Sequence, residues 1–324
     1  MEACRLSESN RSIYAALIGN LLVAVTKVVA AVWTGSSAMS SEALHSFVDC
    51  GNEVLLLYGQ HRAGRPPDAL HPLGHGRELY FWSFVVALLV FALGAGVSIF
   101  QGISQLRTLR PIESPQISYI VLAAAFVFEG ISWTIAFRQY RGEQPRTHRG
   151  VFENFRRSKD PPLFMVLFED TAALLGILIA ALGTFASAVL HMPAFDGIAS
   201  VLIGGVLGAV AVLLARESKS LLIGEAASPE LAASIRAIAA QEPNIARVNG
   251  LLSAQLAPDQ ILIALSLEFA DRLQVPQIEE HVAEIERRVR AAHPEVMAIF
   301  VKPQSSKGFS DGRQSGRLAD PDGN

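Results

Sequence analysis

Histidine and aspartate stand four residues apart at His45 and Asp49, inside the otherwise apolar stretch S-S-E-A-L-H-S-F-V-D. A second ionisable pair, Glu169 and Asp170, interrupts another apolar stretch far downstream. On a helix, positions i and i+4 lie about 40° apart around the axis and one turn apart along it. An imidazole nitrogen and a carboxylate oxygen so placed form half of a divalent metal site, which Asp170 or Glu169 could complete from another helix. Zn²⁺ takes such ligands in tetrahedral geometry, and Mn²⁺, Fe²⁺ and Co²⁺ also use them. Ionisable groups at bilayer depth cost about 2.5–3.5 kcal/mol each on insertion scales. Several of them in one chain therefore imply partners or a ligand.

Each cluster has a plainer reading. His45 and Asp49 could simply hydrogen-bond neighbouring helices. Glu169 and Asp170 could be helix-end carboxylates near an interface, but Pro161 and Pro162 start that helix about two turns earlier. Adjacent helical residues point about 100° apart, so Asp170 is expected as the ligand. Glu169 is then an outer hydrogen-bonding partner or a proton carrier. A third cluster, Asp68, His71 and His75, lies in P-P-D-A-L-H-P-L-G-H-G-R-E. Its D-x-x-H-x-x-x-H spacing could gather three metal ligands in a loop, or His71-Pro72 and Gly74/Gly76 could merely shape a turn. Asn20, Lys27 and Glu129 are further polar residues at membrane depth. They suit interhelical hydrogen bonds, snorkelling for Lys27, or proton exchange for Glu129. Cys50 is expected to pack, and His281 and His293 are expected at the surface without clustered partners.

The elements that must hold these residues follow from the apolar pattern. The chain has 324 residues, 51% hydrophobic and only 18% charged, with mean hydropathy +0.34. A soluble chain would carry charge on nearer a quarter of its residues. Six segments are long enough to span a bilayer, near 12–33, 39–60, 79–100, 117–138, 162–190 and 197–216. The polar start M-E-A-C-R-L-S-E-S-N-R-S lacks the features of a cleaved signal peptide, so the first segment is expected to stay as an anchor. Basic residues concentrate in the loop at 61–78 (Arg62, Arg65, Arg77) and in that at 141–160 (Arg141, Arg146, Arg149, Arg156, Arg157, Lys159). The positive-inside rule then puts both termini on the cytoplasmic side. A net charge of −3 gives no case for nucleic acid, and Cys4 and Cys50 offer no disulfide framework.

From Glu225 the pattern becomes that of an aqueous domain. Ser228-Pro229 reads as a helix start. Leu231, Ile235 and Ile238 then recur at helical spacing. Ile261, Ile263, Leu265, Leu267 and Phe269 alternate as in a strand, within two strands at 246–256 and 260–270. Ile278, Val282, Ile285 and Val289 mark a second amphipathic helix, and Val296–Val301 a last strand. The expected fold is a six-helix transmembrane bundle over 1–220, followed by an α-β-β-α-β, ferredoxin-like α+β cytoplasmic domain over 221–303. A disordered tail is expected over 304–324.

These residues together resemble the cation diffusion facilitators, proton-coupled exporters of divalent metals. The resemblance runs from about residue 12 to 303. It rests on S-S-E-A-L-H-S-F-V-D, on H-P-L-G-H-G-R-E, on the acidic pair in the fifth span, on Asp196-Gly197 and on the α-β-β-α-β tail. L-F-E-D-T-A-A-L-L-G and the basic loop before it look most like the branch containing the human zinc transporter 9. The resemblance implies paired i, i+4 ligands in spans 2 and 5. His45 and Asp49 match the first pair and Asp170 matches half of the second, whereas Val166 stands where the other ligand would be. It also implies a loop site at Asp68, His71 and His75, and a homodimer formed through the aqueous domain. The family's metal cluster in that domain is not expected, since Ala298–Lys302 carries no ligands.

The expected function is secondary transport of a divalent cation, Zn²⁺ first, out of the cytoplasm in exchange for protons, with the cation as cargo and no cofactor. Mn²⁺, Fe²⁺ or Co²⁺ are alternative cargoes. A membrane metal sensor or scaffold that has lost transport is the competing class, motivated by Val166. An enzyme is disfavoured, because no activated nucleophile or oxyanion motif accompanies the metal residues. The Ala- and Arg-rich composition points to a bacterial cytoplasmic membrane.

Overall fold

The computed structural model describes residues 20–109, 112, 114–143 and 161–314. The first part of the expected first span, the basic residues at 146–159 and the tail from 315 lie outside them. The described chain divides into two compact units, one ending at Lys219 and the other beginning at Ser220.

Among the described residues, the regular structure of the first unit is all helical. It comprises α1 (Asn20–Thr34), α2 (Ser37–Ala63), α3 (Glu78–Thr108), α4 (Pro115–Glu143), α5 (Pro161–Leu190) and α6 (Ala194–Ile223). Among the described residues, four helices are long and apolar enough to cross a membrane: α3, α4 over Pro115–Arg138, α5 over Met165–Leu190, and α6. α1 is apolar but shorter over its described length. α2 has 27 residues but carries the ionisable ones. Large apolar side chains project outward from these helices, among them Val32, Phe100, Ile120 and Leu182, each at least two-thirds exposed. In water they would be a liability, whereas in a bilayer they are solvated by lipid. The chain is thus an integral, multi-pass membrane protein.

Small residues set the helix contacts. A Cβ on Gly102 of α3 would sit 2.6 Å from the Gly197 carbonyl oxygen of α6, and one on Gly204 of α6 would sit 2.9 Å from that of Ala95 in α3. Packing without a hydrophobic driving force depends on such close approach. α3 also contains one π-helical stretch, Val90–Ala95. The helices α2, α3, α4 and α6 run past the expected ends of their spans, to Ala63, Thr108, Glu143 and Ile223, with polar residues such as His61, Ser104 and Ser218 continuing the helix.

The second unit follows the order α7 (Pro229–Ala240), β1 (Ile245–Ala257), β2 (Gln260–Phe269), α8 (Val275–Ala292), β3 (Val296–Pro303) and α9 (Ser306–Gln314). The sheet order is β1-β2-β3, with β1 antiparallel and β3 parallel to β2. Ser228 caps α7 by accepting from the Leu231 N–H, with Pro229 in the first turn. Ile261, Ile263, Leu265 and Leu267 enter one core with Leu231, Ile235, Ile285, Val289 and Ile299.

Two expectations are corrected here. The segment read as the start of a disordered tail contains α9. Ser305 accepts from the Gly308 N–H through its side chain and from the Phe309 N–H through its carbonyl, which starts the helix. Phe309 then lies over Gly250 of β1, where a Cβ would meet its ring at 2.5 Å. That contact is tertiary, so a polar composition could not reveal it. His281 and His293 are also not isolated surface residues. His281 contacts Glu242 (2.9 Å) and Asn244 (3.2 Å), and His293 contacts Ser234 (2.8 Å).

Candidate metal sites

The start of α2 is anchored before the candidate ligands begin. Asp196 of α6 accepts from Ser36 Oγ (2.5 Å), the Ser37 N–H (2.6 Å) and Ser37 Oγ (2.8 Å). A carboxylate here meets the free N–H groups and positive end of α2. One turn on, Ser41 Oγ meets Ser200 Oγ at 2.6 Å, and Ser200 donates to the Ser98 carbonyl. α2 is thereby tied to both α6 and α3.

The next turns of α2 carry the ligand candidates. His45 is buried, and its Nε2 lies 3.1 Å from Asp49 Oδ2. Asp49 faces a cavity of about 30 Å³, shared with Ser46, Glu53 and Leu56 of α2, Asn20 of α1, Glu129 of α4, and Val166, Glu169 and Asp170 of α5. That volume suits one water-sized particle or a dehydrated ion. Both members of the acidic pair reach it, each steadied from a different helix. Asn52 of α2 donates to Glu169 Oε1 at 3.0 Å, and Ser132 of α4 donates to Asp170 Oδ2 at 3.0 Å. His45 is joined to this cavity through Asp49 rather than lining it. Val166 also lines the cavity, with no donor atom to offer.

Three residues here were not singled out from the sequence. Glu53 lines the cavity and accepts a hydrogen bond from Asn20. Asn52 holds Glu169. Glu42, fully buried, forms an ion pair with Lys27 at 3.3 Å. Periodicity held a signal for the first, since Glu53 lies one turn beyond Asp49. Lys27 does not snorkel: it is fully buried and also reaches Ser46 Oγ (2.7 Å) and Glu129 (3.8 Å). Cys50 is buried and free, as packing requires.

The loop cluster is built differently. Asp68, His71 and His75 bring ligand atoms within 4.8 Å of one another. Asp68 Oδ1 lies 3.2 Å from His71 Nδ1, and Oδ2 lies 3.2 Å from His75 Nε2. The backbone N–H of His71 also donates to Asp68 (2.6 Å), as does that of Leu70 (2.8 Å). The His71 N–H foremost, then the His75 ring, hold the Asp68 carboxyl down to about 2 against the opposing effect of desolvation. Behind the cluster, Arg62 makes a two-pronged contact with Glu78, and Glu78 lies 3.5 Å from His75 Nδ1. Two ring nitrogens and a carboxylate suit Zn²⁺ or a similar borderline cation.

Residues 13–223 match the model of the cation efflux transmembrane domain. Metal tolerance protein C4 of Arabidopsis thaliana is 34% identical over 67% of this chain and 48% of its own length. The proton-coupled zinc antiporter SLC30A9, mitochondrial, of Homo sapiens is 29% identical over 76% of this chain and 44% of its own length. The manganese efflux system protein MneP of Bacillus subtilis is 22% identical over 88% of this chain and 92% of its own length. The chain spans about half the length of the first two relatives. With a match across most of the helical unit and these relatives beside it, the chain belongs to the cation diffusion facilitator family and is of the SLC30A9-like kind.

Proposed function

We propose that this protein is a secondary transporter that carries a divalent cation, Zn²⁺ first, out of the cytoplasm in exchange for protons. The observation that carries the reading is the small cavity within the helical unit, lined by Asp49, Glu169 and Asp170, with His45 against Asp49. Buried carboxylates at that depth call for a cation. The printed functions of the relatives, zinc antiport and manganese efflux, agree with it. His45 and Asp49 supply one half of the site and Asp170 the other, and Glu169 takes the place that Val166 leaves empty of donors. Protons and metal compete for these same atoms, so protonation on the far side releases the ion. Asp68, His71 and His75 form a second, cytoplasm-facing cation site.

In this reading α1 and α2 join the four apolar helices as spans, giving six, with both termini cytoplasmic. The second unit is a ferredoxin-like cytoplasmic domain, over 221–303, that supports a homodimer. The location is a bacterial cytoplasmic membrane, although SLC30A9 is by name mitochondrial. Transport rather than catalysis is the activity. The experiment is Zn²⁺ or Mn²⁺ flux into proteoliposomes under an imposed proton gradient. Equal flux for wild type and Asp49→Ala rules the transporter out. A second reading, a metal sensor or scaffold without transport, is favoured by Val166 and predicts metal binding with no flux.

A further inference from the structure

Lys27 is a full positive charge placed beside a site for cations. Its Nζ is fully buried on α1 and held by Glu42 and Ser46 of α2 and Glu129 of α4. Two of these three partners, Ser46 and Glu129, also line the cavity. The lysine thus stands one side chain behind the cavity wall. Glu42 lies one turn before His45 on α2. Its Oε1 is buried and has no hydrogen-bond partner among the described residues. It fits only because Gly176 of α5 lacks a Cβ, which would collide with it. A buried carboxylate with one bare oxygen has its charge met by Lys27 and by little else.

We propose that Lys27 is a selectivity-determining residue: its ammonium occupies Glu42 and Glu129 as a tethered cation and withholds their oxygens from the transported ion. This rests on the transporter reading and names what sets its cargo. With both carboxylates engaged, the ion meets the remaining carboxylates, Asp49, Glu169 and Asp170 foremost, with the His45 nitrogen held against Asp49. Such a mixed, low-coordinate set suits Zn²⁺. Without the ammonium, Glu129 on the cavity wall and Glu42 behind it both lose their cation, and the oxygen-rich, higher-coordinate set they would join suits harder ions such as Mn²⁺. Lys27 acts through the carboxylates and touches no cargo itself.

The test compares the Mn²⁺/Zn²⁺ flux ratio of the full chain in proteoliposomes. Lys27→Met should raise that ratio by about tenfold, on the preference of hard ions for oxygen ligands. Lys27→Arg should leave it near the wild-type value. The triple change Lys27→Met, Glu42→Gln, Glu129→Gln should bring it back. An unchanged ratio in Lys27→Met, or a raised ratio that persists in the triple variant, overturns the proposal. Removing one partner of a buried ion pair can prevent folding. In that case Lys27→Gln with Glu42→Gln, which keeps the net charge and releases Glu129 alone, is read in the same assay, and a wild-type ratio overturns the proposal. If the wild type moves neither ion, the transporter reading fails by itself. The inference is then decided by the ratio of Mn²⁺ to Zn²⁺ bound at equilibrium in detergent, which must shift in the same direction.

Discussion

The cavity between α2, α4 and α5 and the loop cluster at Asp68 use the same kinds of side chain in opposite surroundings. In the cavity, Asp49, Glu53, Glu129, Glu169 and Asp170 come from three helices and are buried or half-buried. In the loop, Asp68, His71 and His75 come from eight consecutive residues, and Asp68 is 51% exposed. Loop geometry is made by local hydrogen bonds from the Leu70 and His71 N–H groups. Cavity geometry is made by partners distant in sequence, such as Asn52 for Glu169 and Ser132 for Asp170. A buried charge left unpaired is expensive, whereas an exposed one is hydrated. Substitutions should therefore act strongly in the cavity and mildly in the loop.

The largest contrast is between the proposed ligands. Asp49→Ala should bring metal flux to background, a loss of more than about a hundredfold, since even outer partners of metal ligands are worth about 10–100-fold. Asp68→Ala should retain measurable flux. Equal losses in a proteoliposome flux assay would erase the distinction between the two sites.

Next is the support of Glu169. Asn52→Ala should weaken equilibrium Zn²⁺ binding by about 10–100-fold, as loss of an outer partner does. Titration calorimetry on the purified protein checks it, and unaltered affinity would remove Glu169 from the cation's surroundings.

A smaller effect is expected at the anchor of α2. Asp196→Ala leaves buried donors at Ser36 and Ser37 unmet, each costing about 1–3 kcal/mol. The thermal midpoint in detergent should fall. Because the anchored turn precedes His45, metal binding in the folded fraction should change less than in Asn52→Ala.

The mildest prediction concerns acid. The folded Asp68 carboxyl titrates at about 2, below the unfolded value of about 3.9. A lowered carboxyl contributes stability that is present above about pH 3.9 and is lost as pH falls through about 2. The ¹³C signal of labelled Asp68 should show a midpoint near 2 in the folded protein. A midpoint at the ordinary value would mean that the His71 and Leu70 hydrogen bonds do not persist in solution.

The same contrast explains what could be read before the fold was known. Asp68, His71 and His75 were legible as a trio because one turn places them. His45 and Asp49 were legible because helical spacing places them. The α7-β1-β2-α8-β3 order was legible from alternation and amphipathic spacing, with Ile263 and Ile285 buried as those patterns require. Lys27 was not, because its choice of Glu42 and Glu129 over an interface depends on how α1 meets α2 and α4. Nothing in the sequence marks Asn52, because its partner Glu169 is brought to it by α5 from far along the chain. Polar Ser305 and Ser306 hid a helix start, and Phe309 within that helix packs over Gly250 of β1, a contact distant in sequence.

The tether between Asp196 and the first turn of α2 has a mechanical meaning. A rod held at one end moves least there and most at its tip. With 1.5 Å of rise per residue, Asp49 lies about 18 Å from Ser37, and Ala63 about 39 Å. If α2 swings as a rigid lever on that hinge, a rotation of about 10° shifts Asp49 by about 3 Å and the far end by about 7 Å. The lever's tip carries the loop of Asp68, so a small tilt that opens the cavity is read out, magnified, where the chain turns toward α3.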